Sequence, residues 1–122
     1  MKVLTGLLAA LVLALGLTSA PANATVYPHS ITTRCTASAA GGAHVNFKMT
    51  AGTGKPKATV YIKVTNRLGK VVKRLSRYYR GAPAVWYVGP LRHGRYTVAF
   101  ATRTGATSVY KNCSTSTRIR VS

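Results

Sequence analysis

Apolar and polar side chains alternate along three separate stretches of this chain, and that period of two constrains the fold more than any other feature. In His44-Val-Asn-Phe-Lys-Met-Thr50, Val45, Phe47 and Met49 share one side, and Asn46 and Lys48 take the other. In Ala58-Thr-Val-Tyr-Ile-Lys-Val-Thr65 the apolar set is Val60, Ile62 and Val64. In Arg95-Tyr-Thr-Val-Ala-Phe-Ala-Thr-Arg103 it is Tyr96, Val98 and Phe100. Successive side chains point to opposite faces in extended backbone, so each stretch reads as a strand with one buried face. Three further segments also read as strands: Thr33 to Ser38, the apolar Ala84 to Val88, and Cys113 to Val121, the last with Ile119 and Val121 inward and Arg118 and Arg120 outward. Turn and loop residues separate them at Ala39 to Gly42, Ala51 to Lys57, Gly89 to Gly94 and Thr104 to Asn112. The pattern predicts an all-β, antiparallel sandwich of about seven strands. It forms one domain over residues 33–122, preceded by a lead-in over 25–32 that is expected to be loosely held.

One segment is ambiguous. In Gly69-Lys-Val-Val-Lys-Arg-Leu-Ser-Arg-Tyr-Tyr-Arg80-Gly81 the cations Lys70, Lys73, Arg74 and Arg77 fall at helical spacing, as on an amphipathic helix that lies on a membrane. The residue types, β-branched and aromatic, favour a strand. The preceding Asn66-Arg-Leu-Gly69 fits a type I turn, and a hairpin turn must be followed by a strand. As a strand the segment puts Val71, Lys73, Leu75, Arg77 and Tyr79 on one face, and Val72, Arg74, Ser76, Tyr78 and Arg80 on the other. Neither face is purely apolar, which points to an edge strand or to one bulged midway.

The first residues read as an export signal. Met1-Lys2 is followed by an apolar run from Val3 to Leu17 and by Ala22-Asn-Ala24. The run is roughly 15 residues, short of the about 20 that span a bilayer, so residues 1–24 are expected to be removed after Ala24 and the remainder secreted. The sequence carries 18 Lys and Arg and no Asp or Glu, a net charge of +18, where average composition would supply roughly 12 acids to residues 25–122 alone. Without a carboxylate there is no acid, base or nucleophile for most hydrolytic mechanisms, and no oxygen cage for calcium or magnesium. The charge favours anionic partners: a wall polymer or acidic polysaccharide first, with nucleic acid or an anionic membrane as other candidates. The two cysteines, Cys35 and Cys113, read as a disulfide in a secreted domain. Closing the loop from Cys35 to Cys113 is worth about 4.5 kcal/mol in the chain-entropy account.

Leu91-Arg-His-Gly94-Arg-Tyr96 opens the next alternating stretch, and Leu-x-x-Gly-x-Tyr resembles the tyrosine corner of immunoglobulin-like sandwiches. With Gly54-x-Pro-x-Ala-Thr-Val60 before it and Val109-Tyr-Lys-Asn-Cys-Ser-Thr-Ser-Thr-x-x-x-Val121 after it, the chain resembles the bacterial immunoglobulin-like repeat family over roughly residues 33–122. The resemblance implies an immunoglobulin-like antiparallel β-sandwich and a non-catalytic role. It also implies a structural part for Leu91, Gly94 and Tyr96, with the tyrosine hydroxyl bonded back to the preceding loop. Two departures stand out. Val45 or Phe47 and Val98 occupy the core positions where antibody-type domains place cysteines, so Cys35 and Cys113 tie the first strand to the last. Family members are also less basic.

The candidate binding site is Arg67, Lys70, Lys73, Arg74, Arg77 and Arg80 with Tyr78 and Tyr79: cations for phosphates or carboxylates, tyrosines to stack on sugars or bases. Arg92, Arg95, Arg118 and Arg120 could extend it. Trp86 and Tyr87 point to opposite faces, so one belongs to the core. His29, His44 and His93 lack metal-ligand spacing, no serine has a carboxylate-oriented histidine, and no metal or cofactor is implied. Asn112-Cys113-Ser114 matches a glycosylation sequon in form only. The expected function is a secreted, non-catalytic module that holds anionic envelope or extracellular polymers, with a cationic membrane-perturbing protein as the alternative. The oligomeric state is left open.

Overall fold

The computed structural model describes residues 27–122; the expected export signal lies outside the described residues. Seven strands follow one another: β1 (Thr33–Gly41), β2 (His44–Ala51), β3 (Ala58–Asn66), β4 (Val71–Tyr79), β5 (Ala84–Tyr87), β6 (Gly94–Arg103) and β7 (Ser114–Val121). They form two antiparallel sheets, one ordered β1-β2-β5 and the other β4-β3-β6-β7. The chain crosses from one sheet to the other after β2, after β4 and after β5. This is an immunoglobulin-like β-sandwich.

Alternation decides which sides meet. Val45, Phe47 and Met49 of β2 are buried against Val60, Ile62 and Val64 of β3 and Val98 and Phe100 of β6. Phe47 sits at the centre: its ring stacks on Phe100 at 5.2 Å and on Trp86 at 5.3 Å, and Tyr79 meets it edge-on at 5.4 Å. Trp86 packs against the core and Tyr87 is exposed. Each such apolar side chain contributes about 1.5–3 kcal/mol by leaving water.

Covalent and polar ties close the sandwich. Cys35 of β1 is bonded to Cys113, immediately ahead of β7, with Cα atoms 5.7 Å apart, so the disulfide joins the first and last strands and the two sheets. The Cys113 amide donates to Thr102 Oγ1 at 2.8 Å, and the Thr102 amide donates to the Cys113 carbonyl at 3.0 Å. At the other end, Tyr96 Oη donates to the Arg92 carbonyl at 2.6 Å and pins the corner that leads into β6.

The ambiguous segment forms a strand, β4, over Val71–Tyr79, and no helix occurs among the described residues. The turn before it settles the matter locally. The Gly69 amide donates to the Asn66 carbonyl at 3.0 Å, and Asn66 Oδ1 accepts from the amides of Leu68 and Lys70. Gly69 lies at φ +83°, the left-handed position this turn requires. β4 is the edge of its sheet, and its irregularity is a register shift opposite Val64 and Thr65, near its start rather than midway. Within the lead-in, His29 and Ile31 are held more tightly than expected. The amides of His29 and Ile31 donate to the carbonyls of Ser108 and Val109, and the Lys111 amide donates back to Ile31. The 104–112 loop, itself bonded by Thr104 to Asn112 and Tyr110, offers an extended edge that a short peptide can join.

Candidate functional site

The solvent face of the β4-β3-β6-β7 sheet collects most of the cations that project outward from strands. Strand register sets its rows. Tyr78, Thr59 and Arg103 lie across from one another; below them come Ser76, Tyr61, Ala101 and Ser114, then Arg74, Lys63, Ala99 and Ser116. Next are Thr65, Thr97 and Arg118, and the last row pairs Arg95 with Arg120. Lys63, Arg74, Arg95, Arg103, Arg118 and Arg120 are all exposed on this face. The outer face of the other sheet carries only Arg34 and Lys48 on its strands. The charge carried on strands is therefore concentrated on one sheet face, and further exposed cations lie in the turns and loops.

Like charges placed directly opposite each other in a sheet repel. Arg95 and Arg120 are such a pair, and Arg118 stands one row away. Arg67, in the β3–β4 turn, lines the same depression as these three, which has a volume of about 530 Å³. With no carboxylate in the sequence, nothing in the chain's own side chains neutralises them. An arrangement that costs stability and has no side-chain counter-charge is suited to an external anion.

The structure divides the residues singled out around β4. Arg74 and Tyr78 lie on the cationic face, and the Arg80 guanidinium sits 5.7 Å from the Tyr78 ring centroid, a cation–π contact. Arg67 and Lys70 belong to the hairpin turn. Lys73 and Arg77 are on the opposite side of the strand: Lys73 Nζ donates to the Gly89 carbonyl at 2.9 Å, and the Arg77 guanidinium donates to the Ser76 carbonyl at 2.8 Å. Tyr79 must be withdrawn from the site. It is buried, packs on Phe47, and its hydroxyl donates to the Met49 carbonyl at 3.2 Å, so it cannot stack on a ligand.

Three residues of the face were not among the sequence candidates: Tyr61, Lys63 and Arg103. Their outward parity was readable, but the β3–β6 pairing that brings them onto one face joins residues distant in sequence. Among the described residues no group of His, Cys, Asp and Glu could hold a metal ion, and no helix is long and apolar enough to cross a membrane. The chain matches no protein-family model, no curated protein and no solved structure.

Proposed function

We propose that this chain is a secreted, non-catalytic immunoglobulin-like binding module, akin to bacterial immunoglobulin-like repeats. It holds anionic envelope or extracellular polymers against the outer face of the β4-β3-β6-β7 sheet. The supporting observation is the segregation of Lys63, Arg74, Arg95, Arg103, Arg118 and Arg120 onto one sheet face in a chain without a single acid. A disulfide and the charge both suit an extracellular setting.

The test compares faces. Binding to a sulfated or uronate polymer is measured across a salt series for wild type, for Arg95→Gln/Arg118→Gln/Arg120→Gln, and for Arg34→Gln/Lys48→Gln. The first set should weaken binding and lower the slope of log K against log salt by about one per lost contact. At 0.15 M salt, where the Debye length is about 8 Å, the second set should leave affinity within about twofold of wild type. Equal losses per charge on both faces would mean diffuse attraction, and the reading would fall.

A second reading has one observation in its favour. Leu68 is 85% exposed at the tip of the β3–β4 hairpin, between Arg67 and Lys70, with Val72 43% exposed nearby. A tip of this kind could enter an anionic membrane and perturb it. Release of dye from anionic vesicles at micromolar protein would support it; intact vesicles would dismiss it.

A further inference from the structure

On the cationic face one row differs from the rest. Ser76, Tyr61, Ala101 and Ser114 cross the sheet with no charge among them, and the Tyr61 ring is half exposed. On the β6 and β7 side, that row and the next hold only Ala101, Ser114, Ala99 and Ser116. Tyr61 therefore rises beside a floor with nothing longer than a hydroxymethyl group. The resulting depression has a volume of about 550 Å³, and Lys63 and Arg74 also line it.

Three kinds of recognition converge there. The tyrosine offers an aromatic face, Lys63 and Arg74 offer charge one row away, and Ser114 and Ser116 offer hydroxyls that both donate and accept. We infer that this depression is a subsite for one acidic sugar residue of a polysaccharide, an inference that rests on the proposed polyanion-binding role of the face. The pyranose ring lies against Tyr61. Its carboxylate or sulfate meets Lys63 and Arg74, and its hydroxyls exchange hydrogen bonds with the serines.

Other polyanions use less of the site. A polyphosphate has charge but no ring, and leaves Tyr61 and the serines idle. Nucleic acid binds non-specifically by stacking successive bases on successive aromatic rings, and here the other exposed ring of the face, Tyr78, already carries Arg80. The spacing of charge also suits a glycan. Lys63 and Arg118 are two strands and two residues apart, about 12 Å along the sheet from the spacing of strands and residues. That is the scale of a disaccharide repeat, so a second acid group would reach the Arg95, Arg118 and Arg120 cluster.

The experiment uses the disulfide-bonded protein with four probes of similar charge: oligogalacturonate, a heparin-derived oligosaccharide, inorganic polyphosphate and oligodeoxythymidylate. Affinities are measured across a salt series for wild type, Tyr61→Ala and Tyr61→Phe. Tyr61→Ala should weaken at least one saccharide about tenfold with the salt slope unchanged, as for loss of one stacking platform. Tyr61→Phe should keep that affinity, and polyphosphate should bind all three proteins alike. In wild-type protein, amide shifts on adding the saccharide should centre on Tyr61, Ala101 and Ser114, a readout that needs no variant to fold. Equal affinities of wild type and Tyr61→Ala for both saccharides, shifts confined to the Arg95, Arg118 and Arg120 positions with none at Tyr61, Ala101 or Ser114, or a Tyr61→Ala loss seen with oligodeoxythymidylate alone would each overturn the sugar subsite. If no probe binds even at low salt, it is the polyanion-binding role itself that fails.

Discussion

Tyr78 and Tyr79 are neighbours in sequence and belong to different parts of the molecule. Tyr79 fills the core beside Phe47 and satisfies the Met49 carbonyl, whereas Tyr78 is 52% exposed on the cationic face. Tyr79→Ala should lower the unfolding free energy by about 3–5 kcal/mol through the cavity it leaves, and Tyr79→Phe by about 1 kcal/mol through the lost hydrogen bond. Tyr78→Ala should change stability by less than about 0.5 kcal/mol. Urea unfolding of the three variants checks the ordering; a Tyr79→Ala protein as stable as wild type would contradict its place in the core. Alternation already separates these two tyrosines in the sequence. What it leaves undecided is which one faces the core, because Lys73 and Arg77 share the parity of Tyr79 and make that face look polar. The structure resolves the conflict by giving Lys73 the Gly89 carbonyl as a partner. Tyr61 illustrates the reverse case. An outward tyrosine on a strand is ordinary, and it becomes a candidate platform only because Ala101 and Ser114, some 40 to 53 positions later in the chain, are small.

Among the elements, β4 is the one whose identity the local sequence left in balance. Its cations have helical spacing, its residue types favour a strand, and the decision rests on the turn that precedes it. Asn66 Oδ1 accepts two amide hydrogens, at 2.9 Å from Leu68 and 3.0 Å from Lys70, and Gly69 takes a left-handed conformation. Gly69→Ala should therefore cost about 1–2 kcal/mol, although a Cβ there meets no atom within 4 Å. Asn66→Ala should cost about 1 kcal/mol. The denaturation midpoints of both variants measure this, and a neutral Gly69→Ala would mean that the turn does not hold β4 in register. The turn, the strands and their parity were legible because they rest on interactions within a few residues of one another. The lead-in was not. Its partners at Ser108 and Val109 lie far along the chain, and nothing in residues 25–32 announces an edge waiting to receive them.

At the scale of the whole molecule, one charge distribution acts on folding and on binding with opposite signs. A chain of net charge +18 with no acid has no ion pairs between side chains to lose on adding salt, only repulsion to relieve. The Debye length falls from about 30 Å at 0.01 M salt to about 8 Å at 0.15 M. The Arg95–Arg120 pair and its neighbours are exposed, so their repulsion is screened over that range. The melting temperature of the free protein should therefore rise with salt. Complexes behave in the opposite way. A bound polyanion stabilises the native state by RT ln(1 + [L]/Kd), a gain of about 2.7 kcal/mol at a hundredfold excess over Kd, and salt weakens Kd through counterion release. Melting curves recorded with and without oligogalacturonate should thus converge as salt increases, the free protein climbing while the complex falls toward it. If the free protein instead melts lower with added salt, the basic face is held by attractive interactions inside the fold. Its cations would then be committed to structure and not left open for a ligand.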